Sequence, residues 1–352
     1  MLQIKKLTDP ATGLSYLGIG REGAHTAHHY FTSMSWRADS RNLVVATDAD
    51  PITGYATLAA IDIISGHTIK LREGVWWQSG LVSRDNNYFY AEDSRIYVLN
   101  LATNRHALVA EHPAGCPFLE PLSLSADGQW LGVYWHEEGR YTIGTVDTAT
   151  GSVQAVIRPD FAEPYPIANH AMVNPVYINQ IFFAHEGTTE QIPDRIWAVD
   201  AKSGEARNLY EQRKLPDGTL GEYVGHEMWS YDGEWLYYVQ YPHSPLRTGI
   251  CRVSREGGDA EFVNGDYRYW HVCPSPDGRY VVADTLLDPG LGSEIVLIDL
   301  ATRKSRLLCR VSKWDRHPGH PHPSFSPDST HISFTFVAEH GFLWVGVIEL
   351  KC

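Results

Sequence analysis

The stretch Trp229-Ser-Tyr-Asp-Gly233, followed by Trp235-Leu-Tyr-Tyr-Val-Gln240, contains a tight turn and the strand that leaves it. Asp-Gly favours the turn and left-handed conformations of a two-residue hairpin. The aromatic and aliphatic residues after the turn suit a half-buried, pleated strand. The stretch therefore predicts a β-hairpin.

The same pattern occurs six more times along the chain. The further copies are Trp36–Ser40, Ser83–Asn86, Ser123–Gly128, Val173–Pro175, Cys273–Gly278 and Ser326–Ser329. Turn aspartates at 39, 85 and 127 are 46 and 42 residues apart, and those at 232, 277 and 328 are 45 and 51 apart. Four-stranded propeller blades repeat every roughly 40–50 residues.

A third strand follows most of these hairpins, and no convincing amphipathic helix interrupts them. Examples of the third strand are Leu58–Asp62, Ile96–Asn100, Ile196–Asp200 and Ile295–Asp299. The sequence therefore predicts an all-β fold, a seven-bladed β-propeller with four-stranded blades that forms one domain over residues 1–352. The seventh repeat lacks a fourth strand, so we expect the N-terminal strand, residues 2–7, to close the last blade and remove exposed edges.

Composition narrows the classes of function. Hydrophobic residues make up 43% and charged residues 20%, as in a globular protein, and the net charge is -13. Such a charge disfavours nucleic acid and acidic membranes as partners. No apolar run reaches the roughly 18 residues of a membrane helix, and residues 1–10 do not resemble a signal peptide. Five cysteines without a CxxC motif predict free thiols in a reducing compartment, so we expect a cytoplasmic protein. The sequence does not decide between a monomer and a homo-oligomer.

Four of the seventeen histidines share one position in the repeat. Six residues before a turn aspartate stand His226, His271 and His322, and alignment of the fourth repeat adds His170. The first three repeats carry Ser33, Ser79 and Pro121 at this position. Since the innermost strands of a propeller line its central channel, four in-phase histidines predict a shared site.

A second cluster, His317-Pro-Gly-His320-Pro-His322, leads into the last innermost strand. Side chains two residues apart on an extended segment point the same way. Neutral imidazole is the commonest metal ligand and suits Mn, Fe, Ni, Cu or Zn. We predict a divalent-metal site made of His271, His320 and His322, with His317 as an optional fourth ligand.

Further polar residues are expected on the same face. Arg195 opens the third strand of blade four and could hold a carboxylate as a bidentate fork, although a surface-loop role explains it equally well. His185 ends the preceding strand, and Tyr30 lies just before the first inner strand. We assign His170, His185, Arg195 and Tyr30 to substrate binding. GxSxG, P-loop and HExxH motifs do not occur.

Several segments between about 165 and 340 resemble the oligogalacturonate lyases, propeller enzymes that degrade pectin in the cytoplasm. The segments are His170–Pro175, Ala184–Gly187, Arg195–Trp197, Gly225–Ser230 and His320–Pro327. The resemblance implies β-elimination on a uronate sugar, assisted by manganese. It places the general base on His226, the metal-binding histidines on His271, His320 and His322, and the arginine near the scissile sugar on Arg195. The family's fourth ligand is a glutamine, and His317 stands at its position.

The leading hypothesis is therefore a metal-assisted lyase that acts on an acidic, uronate-containing oligosaccharide. Three alternatives stay open. One is a non-catalytic propeller that binds carbohydrate or protein, and another is a hydrolase that uses a metal-bound water. The third is a lyase for a different uronate such as ulvan, because ulvan lyases are similar propellers.

Overall fold

The computed structural model describes residues 2–77, 80–287 and 290–350, and their regular secondary structure is almost entirely β-strand. The first fourteen strands are β1 (Gln3–Thr8), β2 (Ser15–Gly20), β3 (His25–Ala27), β4 (Asn42–Ala49), β5 (Tyr55–Asp62), β6 (Thr68–Trp76), β7 (Leu81–Val82), β8 (Asn87–Glu92), β9 (Arg95–Asn100), β10 (Arg105–Glu111), β11 (Phe118–Leu124), β12 (Trp130–Glu137), β13 (Arg140–Asp147) and β14 (Val153–Ile157). The others are β15 (Ile167–Val173), β16 (Gln180–Glu186), β17 (Ile196–Asp200), β18 (Ala206–Tyr210), β19 (Val224–Trp229), β20 (Trp235–Gln240), β21 (Gly249–Ser254), β22 (Glu261–Asn264), β23 (Tyr269–Pro274), β24 (Tyr280–Thr285), β25 (Ser293–Asp299), β26 (Ser305–Val311), β27 (Ser324–Phe325), β28 (His331–Val337) and β29 (Leu343–Glu349).

These strands form seven antiparallel sheets within the described residues. Six sheets contain four consecutive strands each, β3–β6, β7–β10, β11–β14, β15–β18, β19–β22 and β23–β26. The seventh has the order β1-β2-β29-β28-β27. A short 3-10 helix spans Glu339–Gly341, and no helix of the described residues is long and apolar enough to cross a membrane. The fold is the predicted all-β, seven-bladed propeller.

The repeated turn explains why each blade starts in the same way. In the blade of β19 and β20, the Ser230 hydroxyl accepts a hydrogen bond from the Trp235 backbone N–H at 3.0 Å and donates to Asp232 at 2.5 Å. Gly233 has φ 72°, a left-handed conformation that a residue without a Cβ adopts at little cost. The blades that begin with β11 and β23 repeat these contacts.

The closure of the last blade differs in detail from the prediction. The N-terminal segment does join the last sheet, but the strand that pairs with β29 is β2, with Gly18 opposite Gly346. Strand β1, which contains most of residues 2–7, pairs with β2 as a fifth, outer strand. The prediction that residues 2–7 supply the fourth strand is therefore wrong.

The chain divides into two compact units. The outer unit consists of Met1–Val82 and Asp266–Cys352, and the middle unit of Ser83–Gly265. Each has its own buried clusters, one around Ile19, Trp36 and Val345 and one around Phe182, Trp229 and Tyr238. Full burial of one such side chain stabilises a fold by about 1.5–3 kcal/mol, so these clusters hold the blades of each unit together.

Candidate functional site

The in-phase histidines lie at equivalent positions of their own blades. Each stands four residues before the Ser or Asn that opens the turn. His170, His226 and His322 have φ of 53°, 56° and 48°, and the strand register shifts around His170 and His226. Bulges of this kind re-aim side chains beside functional sites. Ser79, which stands at this position in the second repeat, lies outside the described residues.

Three imidazoles come together in the outer unit. His271, His320 and His322 each offer one ring nitrogen, and these nitrogens all lie within 4.8 Å of one another. The ring centroid of His271 is 4.3 Å from that of His322 and 5.7 Å from that of His320. His271 and His322 are 1% and 2% exposed. We call these three residues the His cluster.

A buried carboxylate, Asp284 of β24, holds two members of the His cluster. Both of its oxygens lie 2.9 Å from Nδ1 of His271. The same carboxylate accepts hydrogen bonds from the backbone N–H of His271 at 2.8 Å and of His322 at 3.2 Å. A metal-ligating histidine almost always has such a partner on its second ring nitrogen, which fixes the tautomer and the ring orientation.

The electrostatics keep the imidazoles of the His cluster neutral. Burial, reinforced by the neighbouring imidazoles, lowers the pKa of His271 and His322 well below the ordinary 6.5 and that of His320 to about 4. Neutral imidazole is the form that binds metals. Nε2 of His322 and Nδ1 of His320 are buried without a hydrogen-bond partner among the described residues. Because buried nitrogens normally find a partner, this donor set fits a divalent transition metal.

His317 and Tyr30 lie beside the His cluster. The ring centroid of His317 is 4.6 Å from that of His320 and 5.0 Å from that of His322. Its nitrogens do not belong to the described donor group, so its role as a fourth ligand stays a prediction. The Tyr30 ring packs edge-on against His322 at 4.8 Å, next to the expected metal.

Arg195 lies in the middle unit between two carboxylates. Its Nη1 and Nη2 donate to the two oxygens of Glu186 at 2.8 and 3.1 Å, and its Nε donates to Glu227 at 2.6 Å. The side chains of Arg195 and Glu227 are 6% and 2% exposed, whereas that of Glu186 is 28% exposed. The predicted bidentate fork therefore exists, but a protein carboxylate occupies it. Burial opposes the ionisation of Glu186, yet the Arg195 charge outweighs it and lowers the pKa to about 2.

His226 and His170 lie in the same unit as Arg195. The His226 ring is half-buried and packs edge-on against Tyr241 at 5.3 Å. Burial lowers the pKa of His170, and the negative charge of Glu186 partly offsets this shift. Burial also raises the pKa of the Tyr241 hydroxyl. The imidazole of His170 is therefore held in its neutral, basic form.

Both ring nitrogens of His185 contact other groups of the protein. Its Nδ1 lies 2.8 Å from the Asp194 carboxylate and its Nε2 lies 3.0 Å from the Tyr165 carbonyl. The ring also stacks on Phe161 with centroids 3.8 Å apart. Both nitrogens are engaged with protein groups, an arrangement that favours a structural role over the predicted contact with substrate.

Comparisons with known proteins bear on this arrangement. No protein-family model matches the chain. It is 25% identical to oligogalacturonate lyase of Dickeya dadantii over 207 residues and 25% identical to oligogalacturonide lyase of Pectobacterium atrosepticum over 214 residues. Each match covers 54% of this chain and 50% of the relative, so the chain spans about half the length of the curated relatives it matches. A solved structure of an oligogalacturonate lyase in complex with manganese has a TM-score of 0.86 and 20% identity, covering 99% of this chain and 96% of that chain.

The resemblance to the oligogalacturonate lyases is confirmed. The oligogalacturonate lyase structure, at 20% identity, shows the shared fold. The sequence analysis assigned no role to the acidic residues that the structure places beside these side chains, Asp284, Glu186 and Glu227. One signal was available, because Asp284 interrupts the otherwise apolar strand Tyr280-Val-Val-Ala-Asp-Thr285, where an unpaired charge would be costly.

Proposed function

We propose that this protein is a metal-assisted lyase that cleaves uronate-containing oligosaccharides, with oligogalacturonate from pectin as the leading substrate. The observation that carries the proposal is the buried His cluster with Asp284 behind it, in a chain similar to oligogalacturonate lyases. Its net charge of -13 provides no general attraction for an acidic sugar, so binding depends on local positive charge.

The His cluster supplies that charge by holding a divalent cation, and manganese is the leading choice because one similar structure is a manganese complex. When bound, such a cation neutralises the uronate carboxylate and stabilises the negative charge that develops as the C5 proton leaves. Within this proposal, His271, His320 and His322 are ligands, and His317 is a fourth ligand or a close neighbour.

His226 is proposed as the general base. A ring nitrogen of His226 takes the proton from C5, the C5–H electron pair becomes the C4–C5 double bond, and the C4–O bond breaks. The leaving oxygen keeps the electrons of that bond and acquires a proton. A base must not itself be a ligand, since a coordinated nitrogen has no free lone pair, and His226 lies outside the described donor group.

Arg195 has a defined place in this proposal. Glu227 is deeply buried and anchors Nε, while Glu186 is partly exposed and occupies the guanidinium fork. We propose that a substrate carboxylate replaces Glu186 at the fork, leaving Glu227 as the anchor. His170 and Tyr30 remain proposed substrate contacts.

An absorbance assay tests the function. Elimination produces a C4–C5 double bond conjugated to the carboxylate, whereas hydrolysis does not. The protein loaded with Mn²⁺ is expected to raise the ultraviolet absorbance with oligogalacturonate in a panel of uronate oligosaccharides. His226→Ala should lower kcat by about 10²–10⁴-fold while metal content is unchanged. His136→Ala, which removes an exposed histidine, is the control. No absorbance change with any uronate would refute the lyase.

A further inference from the structure

An exposed apolar rim lies in the outer unit, which also contains the His cluster. Ile52, Tyr55 and Trp76 are 91%, 57% and 39% exposed. Tyr55 and Trp76 are Cα partners at the adjoining ends of β5 and β6, and Ile52 lies in the loop that leads into β5. Apolar side chains exposed together on a protein surface often mark a ligand-binding groove. We call these three residues the apolar rim.

Hydrogen bonds hold the loop that carries Ile52, and close packing holds the indole of Trp76. The Asp50 carboxylate accepts hydrogen bonds from the Ile52 N–H at 2.8 Å and from the Thr53 hydroxyl at 2.9 Å. Gly54 has φ 77°, and a Cβ at this position would lie 2.4 Å from Nε1 of Trp76. The indole of Trp76 therefore packs directly on the backbone of Gly54, and any larger residue at position 54 would displace it.

A continuous series of ring contacts connects the rim to the His cluster. Trp76 contacts Trp77, with centroids 5.9 Å apart, and the Trp77 backbone N–H donates to the Gly54 carbonyl at 2.9 Å. The buried Trp77 ring stacks against His317 at 6.0 Å, and His317 in turn stacks against His322 at 5.0 Å. Three ring-to-ring contacts therefore separate His322 of the His cluster from Trp76 of the rim.

We propose that the apolar rim is a sugar-binding subsite for units of the oligosaccharide beyond the uronate held at the His cluster. The inference rests on the proposed function. One face of a pyranose ring carries only C–H groups and stacks on an aromatic ring, while its carboxylate stays in water at the edge. A rigid rim binds such a unit with little ordering cost. The rim therefore makes the enzyme prefer longer chains.

Binding measurements on a catalytically silent background test the subsite. His226→Ala protein loaded with Mn²⁺ is titrated calorimetrically with digalacturonate and with tetragalacturonate. Adding Trp76→Ala or Tyr55→Ala should weaken tetragalacturonate binding roughly tenfold, the scale of losing an aromatic anchor, and leave digalacturonate binding unchanged. Ile69→Ala is the matched control, because Ile69 is 42% exposed near the opposite end of the same strand β6.

The outcomes separate the subsite from the function. If the rim variants bind both oligosaccharides as the background does, or lose affinity for both equally, the subsite is refuted while the lyase proposal stands. If the unsubstituted protein neither binds these sugars nor cleaves any uronate, the proposed function fails and the subsite fails with it. In active protein, the same Trp76→Ala change should raise KM for the tetramer but not for the dimer.

Discussion

At the scale of single residues, Asp284 holds the ring of His271 in β23 and the backbone of His322, which precedes β27. Its carboxylate accepts from Nδ1 and the backbone N–H of His271 and from the backbone N–H of His322. The remaining nitrogen of His271 is thereby turned toward the other imidazoles. Burial raises the pKa of Asp284 to about 7, a shift that a bound cation would oppose.

Replacing Asp284 by Asn should weaken metal binding without unfolding the protein. The amide keeps the size and one acceptor oxygen but loses the charge and the second acceptor, so we expect a 10–100-fold loss of Mn²⁺ affinity. Competition with a chelator measures the affinity. Asp299→Asn, which changes the same charge at the end of β25, should leave it unaltered, and a His320→Ala, His322→Ala double variant gives the limit of lost binding. Equal Mn²⁺ affinity in Asp284→Asn and the unsubstituted protein would contradict this role.

His271 and His322 could be predicted from the sequence because their offset from the turn repeats, and His320 because it stands two residues before His322. The pairing of His271 with Asp284 could not be predicted, since the two residues are thirteen positions apart and meet only when the register of β23 and β24 is known. Glu227 adjoins His226 in the sequence, and simple strand alternation would point it away from His226, so the sequence provided no reason to assign it a role. The register shift around these two residues makes simple alternation unreliable here, and the structure shows Glu227 bound to Arg195.

At the scale of secondary-structure elements, strand β2 is the strand of the last blade that could not be predicted from the sequence. It contains Gly18 and Gly20, and glycine is a poor strand former. The structure shows why both are needed. A Cβ on Gly18 would lie 2.7 Å from the Leu7 side chain, and one on Gly20 would lie 2.4 Å from the Trp344 ring. Close packing on both neighbouring strands thus outweighs intrinsic propensity.

A matched pair of substitutions tests the order of strands in the last blade. Ile19 of β2 is fully buried, so Ile19→Asp places an unpaired carboxylate in the core and should destabilise the protein by about 3 kcal/mol or more. Ile4 of the outer strand β1 is only partly buried, so Ile4→Asp should cost about 1 kcal/mol. Urea unfolding followed by circular dichroism measures both. Equal losses would mean that β1 is as central to the blade as β2.

At the scale of the whole molecule, both ends of the chain belong to the outer unit, and the middle unit is inserted between them. Strands β2 and β29, near opposite ends of the sequence, share one sheet. We propose that residues 1–352 behave as a single domain. Separating the chain ends would disrupt a blade of the outer unit, and the sequence of the middle unit begins and ends within that of the outer unit.

Calorimetry tests this proposal. One transition is expected, with equal calorimetric and van't Hoff enthalpies and with coincident curves from circular dichroism and tryptophan fluorescence. Mn²⁺ at about 100 times its Kd should stabilise the folded state by about 2.7 kcal/mol and move the whole transition upward. Two separate transitions, only one of them shifted by the cation, would instead identify two independent domains.

If His170, His226 and His322 act as proposed, their positive φ angles set selection for activity against selection for stability at these positions. A residue with a Cβ in this conformation costs on the order of 1–3 kcal/mol, which glycine largely avoids. Variants chosen only for resistance to heat would therefore tend to accumulate glycine at these positions and lose the imidazoles. Engineering of a more robust form should leave these three positions fixed and take its stability from the outer strands of the blades.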